Sequence, residues 1–192
     1  MYTPFKYPVK ALAVAALLSA TACGQPAPEP QGRPSITSGG AVALADVQGV
    51  GLMNAAMPLE NVVTGGQPTP EQLSALVDLG YTNFVSLRPA TEEGTGWEEA
   101  IVSDEGISFQ RIPVAGAEGL TRENVEALDR ALDEAGAEGT VLYCGSSTRV
   151  GAMLALRAYW LDGADAQTAL ELGREAGMSR LEPAVTELFA AR

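Results

Sequence analysis

Cys144 and Arg149 stand close together with only Gly145, Ser146, Ser147 and Thr148 between them, and this stretch is where the residue types point to chemistry. An apolar run, Val141-Leu142-Tyr143, leads into the cysteine, and a second apolar run follows the arginine. The pattern predicts a strand, a tight loop and the start of a helix. Small loop residues let consecutive backbone N–H groups turn inward, and the helix start adds the positive end of its dipole. A nest of that kind favours a thiolate over a thiol and binds anions. Arg149 adds a planar fork that matches two oxygens of a tetrahedral oxyanion. The competing reading is a core cysteine closing a buried strand beside a surface arginine, although Gly-Ser-Ser-Thr contributes nothing to a core.

What the chain lacks narrows the chemistry further. There is no histidine among the 192 residues, which removes Ser-His and Cys-His pairs and most transition-metal sites. No metal and no organic cofactor is expected. The formal charge is -12, the only lysines are Lys6 and Lys10, and every later base is an arginine. Such an acidic body offers no basic stripe to a polyanion, so nucleic acid is not an expected partner.

The elements that position the loop begin after a distinct N-terminus. Lys6 and Lys10 precede an apolar run from Ala11 to Leu18, followed by Ser19-Ala20-Thr21-Ala22 and Cys23. A positive flank, a short apolar core and an Ala-x-Ala ending mark a cleaved export signal over residues 1–22, and the core is too short to span a bilayer. The cysteine directly after that ending resembles the lipidated first residue of a bacterial lipoprotein. Ala20 departs from the leucine more usual there. The expectation is a periplasmic protein held to the membrane through a lipid on Cys23 alone. With Cys23 so used, Cys144 is left as a lone thiol in an oxidising compartment. Residues 23–40, rich in Pro, Gly and Ser, read as a flexible tether.

The remaining 41–192 read as one domain. Residues 41–58 are small and weakly patterned, and no element is assigned to them. From Leu59 the rhythm alternates. Strands are expected at Val62–Thr64, Asn83–Leu87, Phe109–Val114 and Thr140–Tyr143. Helices are expected from Pro70 to before Gly80, over Trp97–Val102, and from the Thr121 cap to near Gly136, with Val125, Leu128 and Leu132 inward. Three more follow at 149–161, 165–177 and 180–191. This alternation predicts an α/β fold in three layers, a mostly parallel sheet of four to five strands covered by helices on both faces. Ligands then bind at the carboxyl ends of the strands.

Four segments in order carry a resemblance. They are Thr64-Gly65-Gly66-Gln67-Pro68-Thr69-Pro70, then Phe84 to Pro89 with Glu92-Glu93, then Arg111-Ile112-Pro113-Val114, and finally Tyr143 to Arg149. Together they resemble the beta-lactamase hydrolase-like phosphatase domains, a branch of the dual-specificity tyrosine phosphatase fold. The resemblance implies that Cys144 is the nucleophile and Arg149 the anion clamp, with Gly145, Ser146, Ser147 and Thr148 lining the anion. It places a general acid on the loop after the third strand, where this chain offers Glu118. Arg88 and Glu93 read as a structural pair fixing the second strand's loop rather than as catalytic groups, and Gln67, after two glycines at a strand end, reads as either at the loop rim or capping the next helix.

Departures from the family pattern are equally specific. Tyrosine phosphatases have five residues between Cys and Arg; four intervene here, as in that family and in rhodanese sulfurtransferases. Ser147 stands where the family usually has glycine, and a serine there is strained if the position needs positive φ. Gly145 and Val150 replace a basic residue and a hydroxyl. The expected functions are therefore a cysteine-dependent phosphatase of the cell envelope, a rhodanese-type sulfurtransferase forming a Cys144 persulfide, or an inactive relative that binds an anion or a protein. Substrates follow accordingly: a small phosphorylated or sulfur-containing molecule, or a phosphoprotein.

Overall fold

In the computed structural model of the protein, the residues described are 42–105 and 107–191. The expected export signal 1–22 and the whole of the expected tether 23–40, Cys23 included, lie outside the described residues, as does residue 41. Strands β1 (Ala56–Leu59), β2 (Val62–Gly65), β3 (Tyr81–Ser86), β4 (Ser108–Arg111) and β5 (Gly139–Tyr143) form one sheet in the order β1-β2-β5-β3-β4. All neighbours run parallel except β1, which pairs antiparallel with β2. The expected α/β sheet is therefore present, with five strands.

Alternation within the strands divides the core in two. Val62, Val85 and Leu142 point to one face, where they join Val125 and Leu128 of α4 (Arg122–Ala135) and most of α5 (Thr148–Trp160). Val63, Phe84, Val141 and Tyr143 point to the other, against Leu73 and Leu76 of α2 (Pro70–Asp78) and Val47 of α1 (Leu44–Gly49). Helices α6 (Ala166–Glu175) and α7 (Glu182–Ala190) complete the first face behind α5, and α3 (Glu98–Glu105) follows the β3 loop on the chain's way to β4. Period-two burial on both faces is what a parallel strand between two helical layers requires.

Local signals account for the boundaries. Thr69 caps α2 by accepting from the Gln72 N–H at 3.2 Å while Gln72 reaches back to the Thr69 N–H, and Pro70 opens the helix. Thr121 caps α4 by accepting from the Asn124 N–H at 3.2 Å, and Gly136, at φ +55°, ends it. Two elements were not anticipated, α1 and β1. β1 is an edge strand, half-buried throughout and carrying Pro58, so it lacks the apolar alternation that marks a strand. Expected inward, Leu132 is only half-buried on the flank of the core.

Candidate functional site

β5 delivers Cys144 to the carboxyl edge of the sheet at its centre, between β2 and β3. The Cys144 N–H donates to the Gly65 carbonyl at 3.2 Å, and the Tyr143 carbonyl accepts from the Leu87 N–H at 2.8 Å. The thiol is fully buried. Beyond it, Gly145 is exposed, Ser146 and Arg149 are half-buried, and Ser147 and Thr148 are buried.

Ser147 has φ +66° and ψ −10°, so this position does demand the left-handed conformation, and a serine there is strained. Its compensation is visible: the buried hydroxyl donates to the Ala176 carbonyl at 2.7 Å. The same bond takes Ser147 away from the capping role its position at the start of α5 would suggest, and no side chain caps that helix. The first N–H groups of α5 are thus left for an anion. Thr148 faces the other way, its hydroxyl accepting from the Ser179 N–H at 3.0 Å. The loop rests on segment 176–179.

Arg149 ends the loop. Its Nη1 and Nη2 donate to the two carboxylate oxygens of Glu92, at 2.5 and 2.9 Å, and Nη1 also donates to the Val114 carbonyl at 2.9 Å. Three of the five guanidinium N–H groups are so used. The other two, on Nε and Nη2, form the second fork of the same planar group. A Cβ on Gly145 would lie 3.5 Å from Nη2, in ordinary contact, so this edge of the guanidinium borders the loop. The Arg149 bonds hold the Glu92 carboxyl at a pKa of about 2, burial opposing and a 2.8 Å bond from Arg88 Nε assisting. The Arg149 pKa is raised in turn, mainly by its bond to Glu92.

The Arg88–Glu93 pair expected from the sequence is corrected here. Arg88 pairs with the Glu92 side chain, while Glu93 contributes only its backbone carbonyl, 2.6 Å from Nη2. Gln67 neither caps α2 nor reaches the loop. Its Nε2 donates to Glu98 at 3.2 Å and its Oε1 accepts from Arg88 Nη1 at 3.0 Å. Glu118 lies on the 3₁₀ turn Gly116–Gly119, exposed, and no bond among the described residues joins it to Cys144 or Arg149.

Sequence reasoning missed Glu98 altogether. It is fully buried at the start of α3 and gathers bonds from Gln67, Tyr143, Arg111 and the Gly96 N–H. Burial beside Glu98 raises the Tyr143 pKa. The overlooked signal is an acid within the half-apolar expected helix at 97–102. Residues 53–54 were missed too. The Met53 carbonyl accepts from the Gly66 N–H at 2.7 Å, Asn54 Nδ2 donates to the Ser146 carbonyl at 3.1 Å, and the Met53 side chain is 57% exposed at this rim. The weakly patterned stretch thus builds one wall of the loop. Among the described residues no group of three or more His, Cys, Asp or Glu is placed to hold a metal.

No protein-family model matches the chain, and no curated protein matches its sequence. Solved structures match its shape. A DUF442 protein of Shewanella putrefaciens CN-32, described as a candidate phosphatase, is 19% identical with a TM-score of 0.59, over 78% of this chain and 98% of that one. A candidate phosphatase of Neisseria meningitidis is 23% identical, TM-score 0.59, over 73% and 99%. The core catalytic domain of the PP-IP phosphatase SIW14 of S. cerevisiae is 16% identical, TM-score 0.56, over 72% and 85%. At such identities the likeness defines the fold, which is that of the tyrosine-phosphatase-like phosphatases.

Proposed function

We propose that the protein is a cysteine-dependent phosphatase of the cell envelope, with Cys144 as nucleophile and Arg149 as oxyanion clamp. The observation that carries this reading is the division of Arg149 into two forks. One is fixed by Glu92 and the Val114 carbonyl; the rest of the group borders Gly145 and interacts with the Cys144 side chain. An anion held by the second fork and the helix N–H groups sits against the Cys144 sulfur.

The chemistry then balances in two steps. The Cys144 thiolate attacks phosphorus, an S–P bond forms, and the P–O ester bond breaks with its electron pair on the departing oxygen. That oxygen takes a proton from Glu118 or from water. Water next attacks the phosphocysteine, the S–P bond breaks, and inorganic phosphate leaves with the thiolate regenerated. The Ser147 and Thr148 hydroxyls are engaged by Ala176 and Ser179, and Val150 offers none. Ser146, half-buried, is the loop hydroxyl to which this reading assigns assistance of thiolate departure.

A second reading is favoured by Glu118, which is exposed and, among the described residues, joined by no bond to Cys144 or Arg149. Sulfur transfer needs no acid for an alkoxide, and a Cys144 persulfide would sit in the same nest. The test compares wild type, Cys144→Ser and Glu118→Gln on nitrophenyl phosphate, an alkyl phosphate, and thiosulfate with cyanide. Phosphatase action predicts nitrophenyl phosphate turnover that Cys144→Ser abolishes. If Glu118 is the acid, Glu118→Gln lowers alkyl phosphate turnover by about 10²–10⁴-fold and nitrophenyl phosphate far less. Cys144-dependent sulfur transfer without phosphate release would replace the phosphatase with a sulfurtransferase. Silence in both assays would leave an anion-binding module.

A further inference from the structure

Behind the loop, an unbroken line of hydrogen bonds runs from a buried carboxylate to the anion clamp. Glu98, fully buried, accepts from Gln67 Nε2 at 3.2 Å; Gln67 Oε1 accepts from Arg88 Nη1 at 3.0 Å; Arg88 Nε donates to Glu92 at 2.8 Å; and Glu92 takes both ends of the Arg149 guanidinium. The order of atoms is forced. A carboxylate only accepts and a guanidinium only donates, so the residue between Glu98 and Arg88 must present a donor to one and an acceptor to the other. An amide does this; glutamate, lysine or methionine at that position does not.

Glu98 is itself immobilised from three strand ends. The Gly96 N–H donates to it at 2.7 Å and Arg111 Nη2, from β4, at 3.4 Å. The Tyr143 hydroxyl, from the residue before Cys144 on β5, donates at 3.3 Å. Gln67 follows β2. The line thus refers the direction of the Arg149 fork to the same sheet edge that carries the sulfur, where a small misplacement is expensive in rate.

We propose that Gln67 and Glu98 are positioning residues, which aim Arg149 at the loop through Arg88 and Glu92. The inference rests on the phosphatase reading for its catalytic consequence but not for its geometry. It is tested by exchanging the two chemistries. In Gln67→Glu two carboxylates face each other and the new one competes with Glu92 for Arg88. In Glu98→Gln an amide must meet the donors of Gly96 and Arg111 as well as that of Gln67. In the double variant Gln67→Glu/Glu98→Gln the amide–carboxylate pair is restored with its members exchanged.

Three measurements on each protein decide the matter: inorganic phosphate binding by calorimetry, kcat and KM on nitrophenyl phosphate, and the Arg149 Nε–H resonance by NMR. Each single variant should weaken phosphate binding and lower kcat by roughly tenfold and shift the Arg149 resonance, and the double variant should recover most of every change. Thermal unfolding of all four proteins separates this from simple loss of fold, since a structural role moves stability without restoring the resonance in the exchanged pair. An unmoved Arg149 resonance in the single variants, or losses that add in the double variant, would overturn the relay. A wild type that binds no phosphate would refute the anion-site reading instead, and the resonance would still decide the relay.

Discussion

Glu92 accepts three hydrogen bonds from two guanidinium groups, and its carboxyl titrates at about 2 rather than the usual 4.5, chiefly because of Arg149. A depressed carboxyl stabilises the fold above its unfolded pKa and loses that contribution as pH falls toward the folded one. The loss here therefore spans the window between about 4.5 and about 2. Glu92→Gln should flatten acid unfolding in that window, monitored by circular dichroism, with little change in the neutral range beyond a lower baseline stability. Because the pair is partly exposed, the effect on stability stays small and the effect on anion binding is the larger one. At this scale the sequence was informative where neighbours are local and silent where they are distant. Cys144 and Arg149 stand out in one short run of residue types, and the strain at Ser147 was signalled by the glycine that the resembling family has there. The choice of Glu92 over Glu93, and the burial of Glu98 against Tyr143 and Gln67, depend on strand ends that meet only in the sheet.

The elements around α5 are packed by backbone rather than side chain. A Cβ on Gly151 would stand 2.3 Å from the Gly173 carbonyl oxygen and 2.4 Å from the Met178 nitrogen, so α5 and α6 touch main chain to main chain there. Glycine to alanine within a helix ordinarily stabilises by about 1 kcal/mol. Gly151→Ala should instead cost about 1–3 kcal/mol, since backbone atoms cannot yield as a flexible side chain can. Urea unfolding midpoints would show the sign. The same contact seats Gly177, at φ +95°, beneath Ser147, where a Cβ would meet the serine Cβ at 2.7 Å. Ser147→Gly sets relief of about 1–2 kcal/mol of left-handed strain against an orphaned Ala176 carbonyl worth about 1–3 kcal/mol. Its stability should change little for that reason. Helix periodicity and caps located α2, α4 and the three C-terminal helices in the sequence, and apolar runs located β2, β3, β4 and β5. α1 escaped because Val47 is the one buried residue of its six and shows no period, and β1 because a half-buried edge strand with Pro58 carries no alternation to read.

Across the whole molecule the Cys144–Arg149 loop, proposed to bind an anion, sits in a chain of formal charge -12, with arginines beside it committed to glutamates. A single phosphoryl group can use the loop's own dipoles, whereas a polyanion meets no basic field. The parallel order β2-β5-β3 places the loop at the sheet's centre, as expected for a ligand site at strand carboxyl ends. The envelope location proposed from the first residues has its own check. If Cys23 carries acyl chains, each buried CH₂ adds about 0.8 kcal/mol of membrane affinity. Wild type then sediments with membranes while Cys23→Ser appears in the periplasmic fraction; a wild type already soluble would remove the lipid from the account.

Phosphatase action through Cys144 requires a transient sulfur–phosphorus bond on that residue. Wild-type protein mixed with nitrophenyl phosphate, quenched in acid within a turnover and measured by intact and peptide mass spectrometry, should carry one phosphoryl group on the peptide containing Cys144. Cys144→Ser should carry none that turns over, and Arg149→Ala far less than wild type. An unmodified Cys144 under conditions in which phosphate is released, or a phosphoryl group on any other residue, would contradict it.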